Sequence, residues 1–230
     1  MTTATLERPA AQIASAPVVT PQEKFANFRK VLNDGLIERT AEVDIMLTAA
    51  LVREHPLFVG SPGTGKSMQC DAFSQWIDGN SFSILLNRFT TPEEVYGPVS
   101  VKGLKSDDYR RITTGFMSEA NTCFLDEIFK ASSAILNTML KVLNEREYRN
   151  GNAIERCPLE IAVAASNEWP QEQNELGALF DRFLFRRKVE TIRSTKGMER
   201  LLWEPNLGPK VVERITLPEL AQARAEAATL

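Results

Sequence analysis

Apolar residues recur with helical spacing early in the chain and then give way to short, nearly continuous apolar runs. The first pattern predicts one helix from position 21 to about 36 and another over about 39–54. Five short apolar runs follow, as expected for strands that are buried on both faces. The predicted strands cover 56–60, 81–87, 122–126, 159–165 and 183–189.

Helical patterns separate these strands, over 65–77, 131–145 and 175–181. Strands that alternate with helices are typical of an α/β domain with a mostly parallel sheet. We therefore predict a three-layer αβα sandwich around a five-stranded, mainly parallel sheet. Two further helical patterns follow, at about 196–203 and 217–227, whereas residues 1–20 are rich in Ala, Thr and Pro and are expected to form a flexible leader.

Two polar excursions interrupt the predicted sandwich. The first, over 99–113, is predicted to be a hairpin that turns at 105–108. The second, over 147–155, is predicted to be a hairpin with Asn150-Gly151 at its tip, since this dipeptide favours a type I′ turn. A solvated β excursion with no further role is the alternative for both.

Composition excludes several classes of protein. The net charge of −3 gives no overall basic field for nucleic acid or anionic membranes, and no apolar run approaches the roughly 20 residues of a membrane span. Cys70, Cys123 and Cys157 are widely spaced, which indicates reduced thiols. His55 is the only histidine, which excludes a multi-His metal site, and we interpret it as a helix-end residue. We expect a cytoplasmic protein.

Residues 60–67 read GSPGTGKS and match the GxxxxGK[ST] phosphate loop between a predicted strand and a predicted helix. Glycines let successive N–H groups point at phosphate oxygens, and the following helix adds its positive N-terminal end. The lysine is expected to reach the β- and γ-phosphates of ATP, and the serine hydroxyl to bind Mg²⁺. The assigned nucleotide-binding residues are Gly60, Ser61, Pro62, Gly63, Thr64, Gly65, Lys66 and Ser67.

An apolar strand ends in the adjacent acids Asp126 and Glu127, about 60 residues after the phosphate loop. Asp126 is placed to hold Mg²⁺ through its water shell, together with Ser67. Glu127 would then be free to act as the general base that polarises the attacking water. An acidic pair at a strand end is a weak signal alone, but after a complete phosphate loop it favours ATP hydrolysis.

Two further residues complete the predicted site. Asn167 follows the next strand, where its amide could contact the γ-phosphate or orient the water. Arg182 precedes the last strand, where a ring-forming ATPase can present an arginine to the nucleotide of its neighbour. Arg186 and Arg187 are rivals for that role, although they lie within the predicted strand and have less reach.

These motifs together resemble the MoxR family of AAA+ ATPases, and the RavA branch most closely. The resemblance covers roughly residues 36–189. It rests on GSPGTGKS, FTTPEEVYGPVS (89–100), CFLDEIFKASSAILNTMLKVLNEREYRNG (123–151), AASNEWP (164–170) and ELGALFDRFLFR (175–186).

The resemblance implies a P-loop NTPase fold of the AAA+ type and a chaperone-like activity in remodelling proteins. It implies a homo-oligomeric ring, typically a hexamer, and a partner protein with a von Willebrand factor A domain. By matching position, Arg182 takes the finger role and Asn167 that of the first sensor. Asn87 takes the place of a residue that restrains the catalytic glutamate, and its side chain is included among the nucleotide-site residues.

The two excursions and the C-terminal residues also take roles from the resemblance. The 99–113 hairpin matches the helix-2 insert, and the 147–155 hairpin the one that faces the ring pore. The resemblance divides the chain into an α/β core at 21–190 and a small helical lid at 191–230. Residues 217–220 resemble the entry to the last part of the lid, and only ten residues follow them. The lid is therefore expected to be incomplete, or the chain to be a fragment or a minimal relative. None of four arginines lies in a motif that identifies the second sensor: Arg193, Arg200, Arg214 and Arg224.

Two other functions stay open. One is a nucleotide-gated scaffold, in which ATP binding drives assembly and hydrolysis is negligible because the lid is short. The other is a nucleic-acid motor or loader, since the same fold serves there. Its support is a basic edge on the first excursion, without an aromatic-interleaved groove beside it. That edge consists of Lys102, Lys105, Arg110 and Arg111.

Overall fold

The computed structural model describes residues 19–169 and 180–229. Its central feature is a five-stranded sheet in which every pairing is parallel. The strands are β1 (Pro56–Val59), β3 (Ser81–Leu85), β4 (Thr122–Asp126), β7 (Ile161–Ser166) and β8 (Phe185–Lys188), in the order β3-β4-β7-β1-β8. This confirms the predicted five-stranded parallel sheet, with strand ends within two residues of those predicted.

Helices cover both faces of this sheet. The helices are α1 (Pro21–Gly35), α2 (Thr40–Val52), α3 (Lys66–Trp76), α4 (Pro92–Tyr96), α5 (Val101–Leu104), α6 (Ser133–Glu145), α7 (Thr195–Trp203) and α8 (Leu217–Ala227). Two short strands, β2 (Ile77–Asp78) and β9 (Ile215–Thr216), pair in parallel beside α3 and α8. The predicted leader, apart from residues 19 and 20, and most of the predicted helix at 175–181 lie outside the described residues.

Alternate residues of the strands point to opposite sides of the sheet, and each side has its own apolar cluster. In β1, Phe58 packs with α1, α2 and α3, whereas Leu57 and Val59 pack with α6. The central strands β1, β4 and β7 are buried along almost their whole length, which explains why their sequences are nearly continuously apolar, whereas the edge strands β3 and β8 are partly exposed. The three-layer αβα architecture predicted from these runs is thereby confirmed.

The C-terminal helix α8 packs against the first two helices of the chain. Its N-terminus is capped by Thr216, whose side chain and that of Glu219 form a capping box. Leu220 is buried in the same cluster as α1 and α2, and Glu219 forms an ion pair with Lys24 at 2.7 Å. The assignment of these residues to a lid, separate from the core, stays a prediction.

The first excursion differs from the predicted hairpin. Its ends do pair, through an antiparallel bridge between Val99 and Arg111, and its tip turns at residues 105–107. Between them, however, the chain forms the short helix α5, because the Ser100 side chain caps it by accepting a hydrogen bond from the Gly103 amide at 3.2 Å. The expectation of two strands there was therefore wrong.

The second excursion is a hairpin, as predicted, made of β5 (Glu147–Asn150) and β6 (Ala153–Arg156). Asn150 pairs with Ala153, so the two turn residues are Gly151 and Asn152, one position later than predicted. Gly151 has a φ of 61° at the first turn position, where a type II′ turn requires glycine. The Asn150 side chain is hydrogen-bonded to the first excursion. Its Oδ1 accepts a hydrogen bond from the Arg111 backbone amide at 2.7 Å, and its Nδ2 donates to the Arg111 backbone carbonyl.

The three cysteines are free and buried, as the spacing indicated. Among the helices that the structure describes, none combines the length and the apolarity that crossing a membrane requires.

His55 lies beyond the end of α2 and is buried between α6 and the sheet. Its Nε2–H donates to the Leu143 carbonyl at 3.0 Å, and its Nδ1 accepts from the Ala162 amide at 3.1 Å. Burial lowers the pKa of His55 to about 4, and the nearby charges of Arg146 and Arg53 act in the same direction. The ring is therefore a neutral structural bridge at neutral pH.

This bridge predicts a loss of stability in mild acid. As the pH falls below the ordinary histidine pKa of about 6.5, the unfolded chain takes up a proton that folded His55 does not, so the free energy of unfolding falls. Between pH 7 and pH 5 the loss attributable to His55 is about 2 kcal/mol. Urea denaturation at the two pH values measures it, and His55→Gln is expected to remove that part of the difference. An equal difference in the variant would contradict the assignment.

Candidate functional site

The phosphate loop connects β1 to α3 at the carboxyl edge of the sheet. Gly63 and Gly65 have φ values of 77° and 81°, and space is open around the position where each would carry a side chain. These left-handed conformations favour glycine, and the open space leaves room for a ligand to approach the loop's backbone. Within the loop, the Thr64 hydroxyl donates to the Ser61 carbonyl at 2.9 Å.

Gly60 is required for a different reason. A Cβ at this position would lie 2.2 Å from the carbonyl oxygen of Val189, which follows β8. The phosphate loop therefore starts in direct contact with the chain that leaves the last strand of the sheet.

Lys66 is the first residue of α3 and is only 7% exposed. Its Nζ donates to the carbonyls of Gly60 at 2.5 Å and Ser61 at 3.1 Å, and to the side-chain oxygen of Asn167 at 3.0 Å. Burial lowers the pKa of Lys66, and the nearby carboxylates of Asp126 and Glu127 oppose that shift. The ammonium group is thus held at the centre of the predicted site.

The acidic pair ends β4, the strand between β3 and β7. Asp126 is half-buried, and its Oδ1 accepts from the Glu127 amide at 2.9 Å. Burial raises the pKa of Asp126, and this is opposed by the Glu127 amide and by the charge of Lys66. Glu127 is 6% exposed and has a φ of 53°, a conformation that a residue other than glycine adopts at an energetic cost.

Asn167 follows β7 and connects the two halves of the site. Its side-chain oxygen accepts from Lys66, while its backbone N–H donates to Glu127 Oε2 at 3.3 Å and its Nδ2 donates to Glu127 Oε1. Because β1, β7 and β4 are adjacent and parallel, their carboxyl ends bring these three polar residues together. The structure thus joins three residues that lie far apart in the sequence.

Glu127 has a second partner, which sequence reasoning missed. Lys130, three residues later, forms an ion pair with its Oε1 at 3.2 Å. Asn87, expected to restrain this glutamate, instead accepts a hydrogen bond from the Phe89 amide at 2.7 Å. In this conformation Glu127 is therefore held by Asn167 and Lys130, and a restraining role for Asn87 stays a prediction.

Arg182 lies exposed in the turn that precedes β8. Its two rivals are engaged within the chain. Arg186 stacks over the Phe180 ring at 4.3 Å and donates to the Phe183 carbonyl, and Arg187 forms an ion pair with the buried Glu42 at 3.3 Å. Arg186 and Arg187 are exposed as well, so exposure alone does not single out Arg182, and its action on a neighbouring subunit stays a prediction.

The residues at the loop fit a Mg²⁺ ion that binds together with nucleotide. Ser67 is exposed at the first turn of α3, and Asp126 ends the strand next to it. No cluster of three or more His, Cys, Asp or Glu ligands occurs within 19–169 and 180–229. Mg²⁺ commonly uses only one or two protein ligands and takes the rest from phosphates and water, so the serine and the aspartate suit it.

The basic edge of the first excursion is partly neutralised. Arg110 forms an ion pair with Asp108 at 2.9 Å, and Arg111 with Glu93 at 2.9 Å. Lys102 and Lys105 are exposed. Two cations out of four thus have acidic partners, which weakens the interpretation of this edge as a nucleic-acid surface.

The four arginines considered for the second sensor all have partners within the chain. Arg224 donates to the Ala50 carbonyl at 2.8 Å and pairs with Glu160, which fixes α8 to α2. Arg200 bonds to Glu204 and to the Asp34 carbonyl, Arg214 pairs with Asp78, and Arg193 pairs with Glu190.

Comparisons with known proteins show which family the chain resembles. The chain is 44% identical over 206 residues to the uncharacterised protein MJ0079 of Methanocaldococcus jannaschii, covering 89% of this chain and 53% of that protein. It is 46% identical over 186 residues to the uncharacterised protein MJ0812 of the same organism, and this match covers 80% of this chain and 50% of that protein. The structural protein ORF618 of Acidianus two-tailed virus is 25% identical to this chain over 185 residues, and this match covers 78% of this chain and 30% of the viral protein. The chain spans about half the length of the two archaeal relatives.

A similar fold occurs in a crystal structure described as "a putative ATPase" from Cytophaga hutchinsonii. The TM-score is 0.66 at 16% identity, and the match covers 90% of this chain and 66% of that one. The family model for the MoxR domain in the MoxR-vWA-beta-propeller ternary systems matches residues 23–215. The α/β fold, the phosphate loop and this match lead to one conclusion: the chain belongs to the MoxR family of AAA+ ATPases.

Proposed function

We propose that this chain hydrolyses ATP in the presence of Mg²⁺ as one subunit of a homo-oligomeric ring. The observation that carries the proposal is the pair of contacts on Asn167, which bonds to Lys66 on one side and to Glu127 on the other. A cation suited to binding phosphate and a buried carboxylate suited to accepting a proton are thereby within one side chain of each other, and these are the groups that attack of water on a γ-phosphate uses.

The residues around Asn167 take defined roles in this reaction. Lys66 leaves the carbonyls of Gly60 and Ser61 to bond to the β- and γ-phosphates. Ser67 and Asp126 hold Mg²⁺, which when bound supplies positive charge to the phosphate oxygens. Glu127 takes the proton of the attacking water while the bond between the γ-phosphorus and ADP breaks. Asn167, released from Lys66, is free to orient that water.

We infer that nucleotide reorganises the contacts of this site before hydrolysis. Glu127 is engaged by two donors, Asn167 and Lys130, so both of its carboxylate oxygens already have partners other than a water molecule. Binding of the γ-phosphate draws Lys66 and Asn167 toward the nucleotide and releases Glu127 from Asn167, whereas the ion pair with Lys130 does not depend on that movement. Hydrolysis would then depend on a complete triphosphate, because ADP lacks the group that breaks the contact with Asn167.

We extend the proposal to the assembly. The ring places the exposed Arg182 of one subunit at the nucleotide of the next, and remodelling of protein partners is the work that the ring performs. The family description, which names MoxR-vWA-beta-propeller ternary systems, supports a partner with a von Willebrand factor A domain. Remodelling, hexamer formation and the identity of that partner all rest on the family rather than on a contact within this chain.

Phosphate release tests the core of the proposal. The purified chain is expected to release phosphate from ATP only with Mg²⁺, at a rate per subunit that rises with protein concentration as rings assemble. Assembly with a non-hydrolysable ATP analogue but no phosphate release at any concentration would favour the nucleotide-gated scaffold instead.

Replacing Lys66 by Ala is expected to weaken ATP binding by at least about tenfold, since a charged hydrogen-bonding partner of the phosphates is lost. Titration of the variant with a fluorescent ATP analogue measures the dissociation constant. Lys141→Ala is the matched control, because Lys141 lies on an exposed face of α6 beside Glu145. Unchanged affinity in the Lys66 variant would contradict the assigned phosphate site.

A further inference from the structure

Arg39, a residue that the sequence did not mark as functional, contacts the back of the phosphate loop. It precedes α2 and is only 6% exposed. Its Nε donates to the Thr64 carbonyl at 3.0 Å, one guanidinium nitrogen donates to the Glu38 carbonyl at 2.7 Å, and the other to the Glu190 carbonyl at 2.7 Å. One buried guanidinium thus joins the phosphate loop to the chain that leaves β8 for α7.

The preceding residue, Glu38, holds the start of α7. Its carboxylate accepts from the amides of Arg193 and Ser194, each at 2.9 Å, and from the Ser194 hydroxyl at 2.5 Å. Ser194 is the N-cap residue of α7, where its own side chain accepts from the Gly197 amide at 2.9 Å. These bonds lower the pKa of Glu38 to about 2, although its side chain is exposed.

The backbone between these two contacts is strained. Glu38 has a φ of 56°, a left-handed conformation that a residue with a Cβ adopts at an energetic cost. The fit around it is close, since a Cβ on Gly197 would lie 2.7 Å from Glu38 Oε1 and 2.9 Å from the Ile37 side chain. A strained residue that is fixed by surrounding contacts often belongs to a functional device.

We propose that the Glu38-Arg39 pair is a clamp that transmits nucleotide binding at the phosphate loop to α7. Arg39 bonds to Thr64, whose neighbours Gly63 and Gly65 have left-handed conformations and belong to the predicted nucleotide-binding loop. When nucleotide rearranges that backbone, the Thr64 carbonyl moves with it and Arg39 follows. Arg39 also donates to the Glu190 carbonyl, and the Glu38 carboxylate accepts from Ser194. The displacement therefore reaches both ends of the segment 190–194, which leads into α7. The inference rests on the proposed function, because it requires nucleotide at this loop.

The alternative is that these contacts only stabilise the fold. The two roles differ in a testable way, because a purely structural bond affects stability but does not link nucleotide binding to the motion of α7. The contact with the phosphate loop is made by Arg39 and the contact with Ser194 by Glu38. Because two different side chains make them, each contact can be broken by its own substitution. Arg39→Lys retains the positive charge but cannot reach three carbonyls in three directions, and Glu38→Ala removes every acceptor for Ser194 without altering the bond to Thr64.

Amide hydrogen exchange of the full chain, with and without Mg²⁺ and a non-hydrolysable ATP analogue, tests the clamp. In the parent protein the analogue is expected to change exchange over residues 190–203 by about fivefold, and in either variant by less than about twofold, with analogue affinity retained in the Glu38 variant. The matched control is Arg187→Lys, because Arg187 pairs with Glu42 on the same side of the molecule. This control is expected to behave like the parent.

The results that would contradict the clamp differ from those that would contradict the proposed function. Analogue binding without a change at 190–203 in the parent would overturn the clamp and leave the proposed function intact. The same change in both variants as in the parent would also overturn it. No binding of the analogue to the parent would overturn the proposed function and the clamp with it. If Arg39→Lys does not fold, shown by its thermal unfolding, the exposed Glu38→Ala variant decides.

Discussion

Replacing Glu127 by Gln is expected to slow phosphate release by about 100-fold or more, because an amide cannot take the proton of the attacking water. Gln has the length of Glu, and Lys66 keeps its place in the phosphate loop, so ATP is expected to bind and to remain bound. Single-turnover phosphate release and the retention of ATP on the protein after gel filtration measure the two effects. The variant should therefore trap the nucleotide.

A matched variant separates loss of the base from a general effect of removing a carboxylate. Glu145→Gln makes the same substitution at the exposed end of α6, where Glu145 lies 3.8 Å from Lys141, and is expected to leave turnover unchanged. Glu127 also accepts from Asn167 and pairs with Lys130, so the thermal stability of both variants should be compared. Turnover at the parent rate in a folded Glu127→Gln protein would show that another group is the base.

The residues of this site could be predicted from the sequence because their signals are local. GSPGTGKS is continuous, and Asp126 with Glu127 directly follows an apolar run. The apolar runs are continuous because both faces of the strands are buried, as Leu57 and Phe58 illustrate on opposite sides of β1. The local sequence is therefore enough to predict the strands, their parallel arrangement and the polar residues at their carboxyl ends.

The partners of those residues could not be predicted in the same way, since they depend on tertiary proximity. Nothing in the sequence around Arg39 shows that its guanidinium reaches Thr64, 25 positions away, and Glu190, 151 positions away. Lys130 lies close in sequence to Glu127, but only the turn of residues 128–130 aims it back at the carboxylate. Such contacts appear only when the elements have packed.

The errors in the excursions have a different cause. Residues 99–113 mix polar and apolar positions in a way that fits either a hairpin or a helical turn, and a single cap by Ser100 decides for the helix. In the second excursion, the Asn150 side chain is bound to Arg111 and is 6% exposed, so the turn forms one residue later, at Gly151. Contacts between the two excursions, together with the preference of a type II′ turn for glycine at its first position, fit that register.

Replacing Arg182 by Ala is expected to lower the turnover of assembled protein by about 1,000-fold, because the transition state loses a positive charge supplied by the neighbouring subunit. ATP affinity is expected to change little, since the residues that bind phosphate within the subunit are intact. Steady-state phosphate release and analogue titration measure the two quantities. Arg29→Ala is the matched control, because it removes an arginine from an exposed ion pair with Asp44.

Mixing two inactive variants distinguishes action on a neighbour from action within one chain. A Lys66→Ala subunit cannot bind ATP properly but still presents Arg182, whereas an Arg182→Ala subunit keeps an intact phosphate loop. In an equal mixture roughly a quarter of the parent turnover is expected to return, because half of the sites are intact and half of their neighbours supply the arginine. No recovery in mixtures that form rings would place the action of Arg182 within its own subunit. Recovery would show that the active unit is the interface between two copies, and that one folded chain carries only part of it.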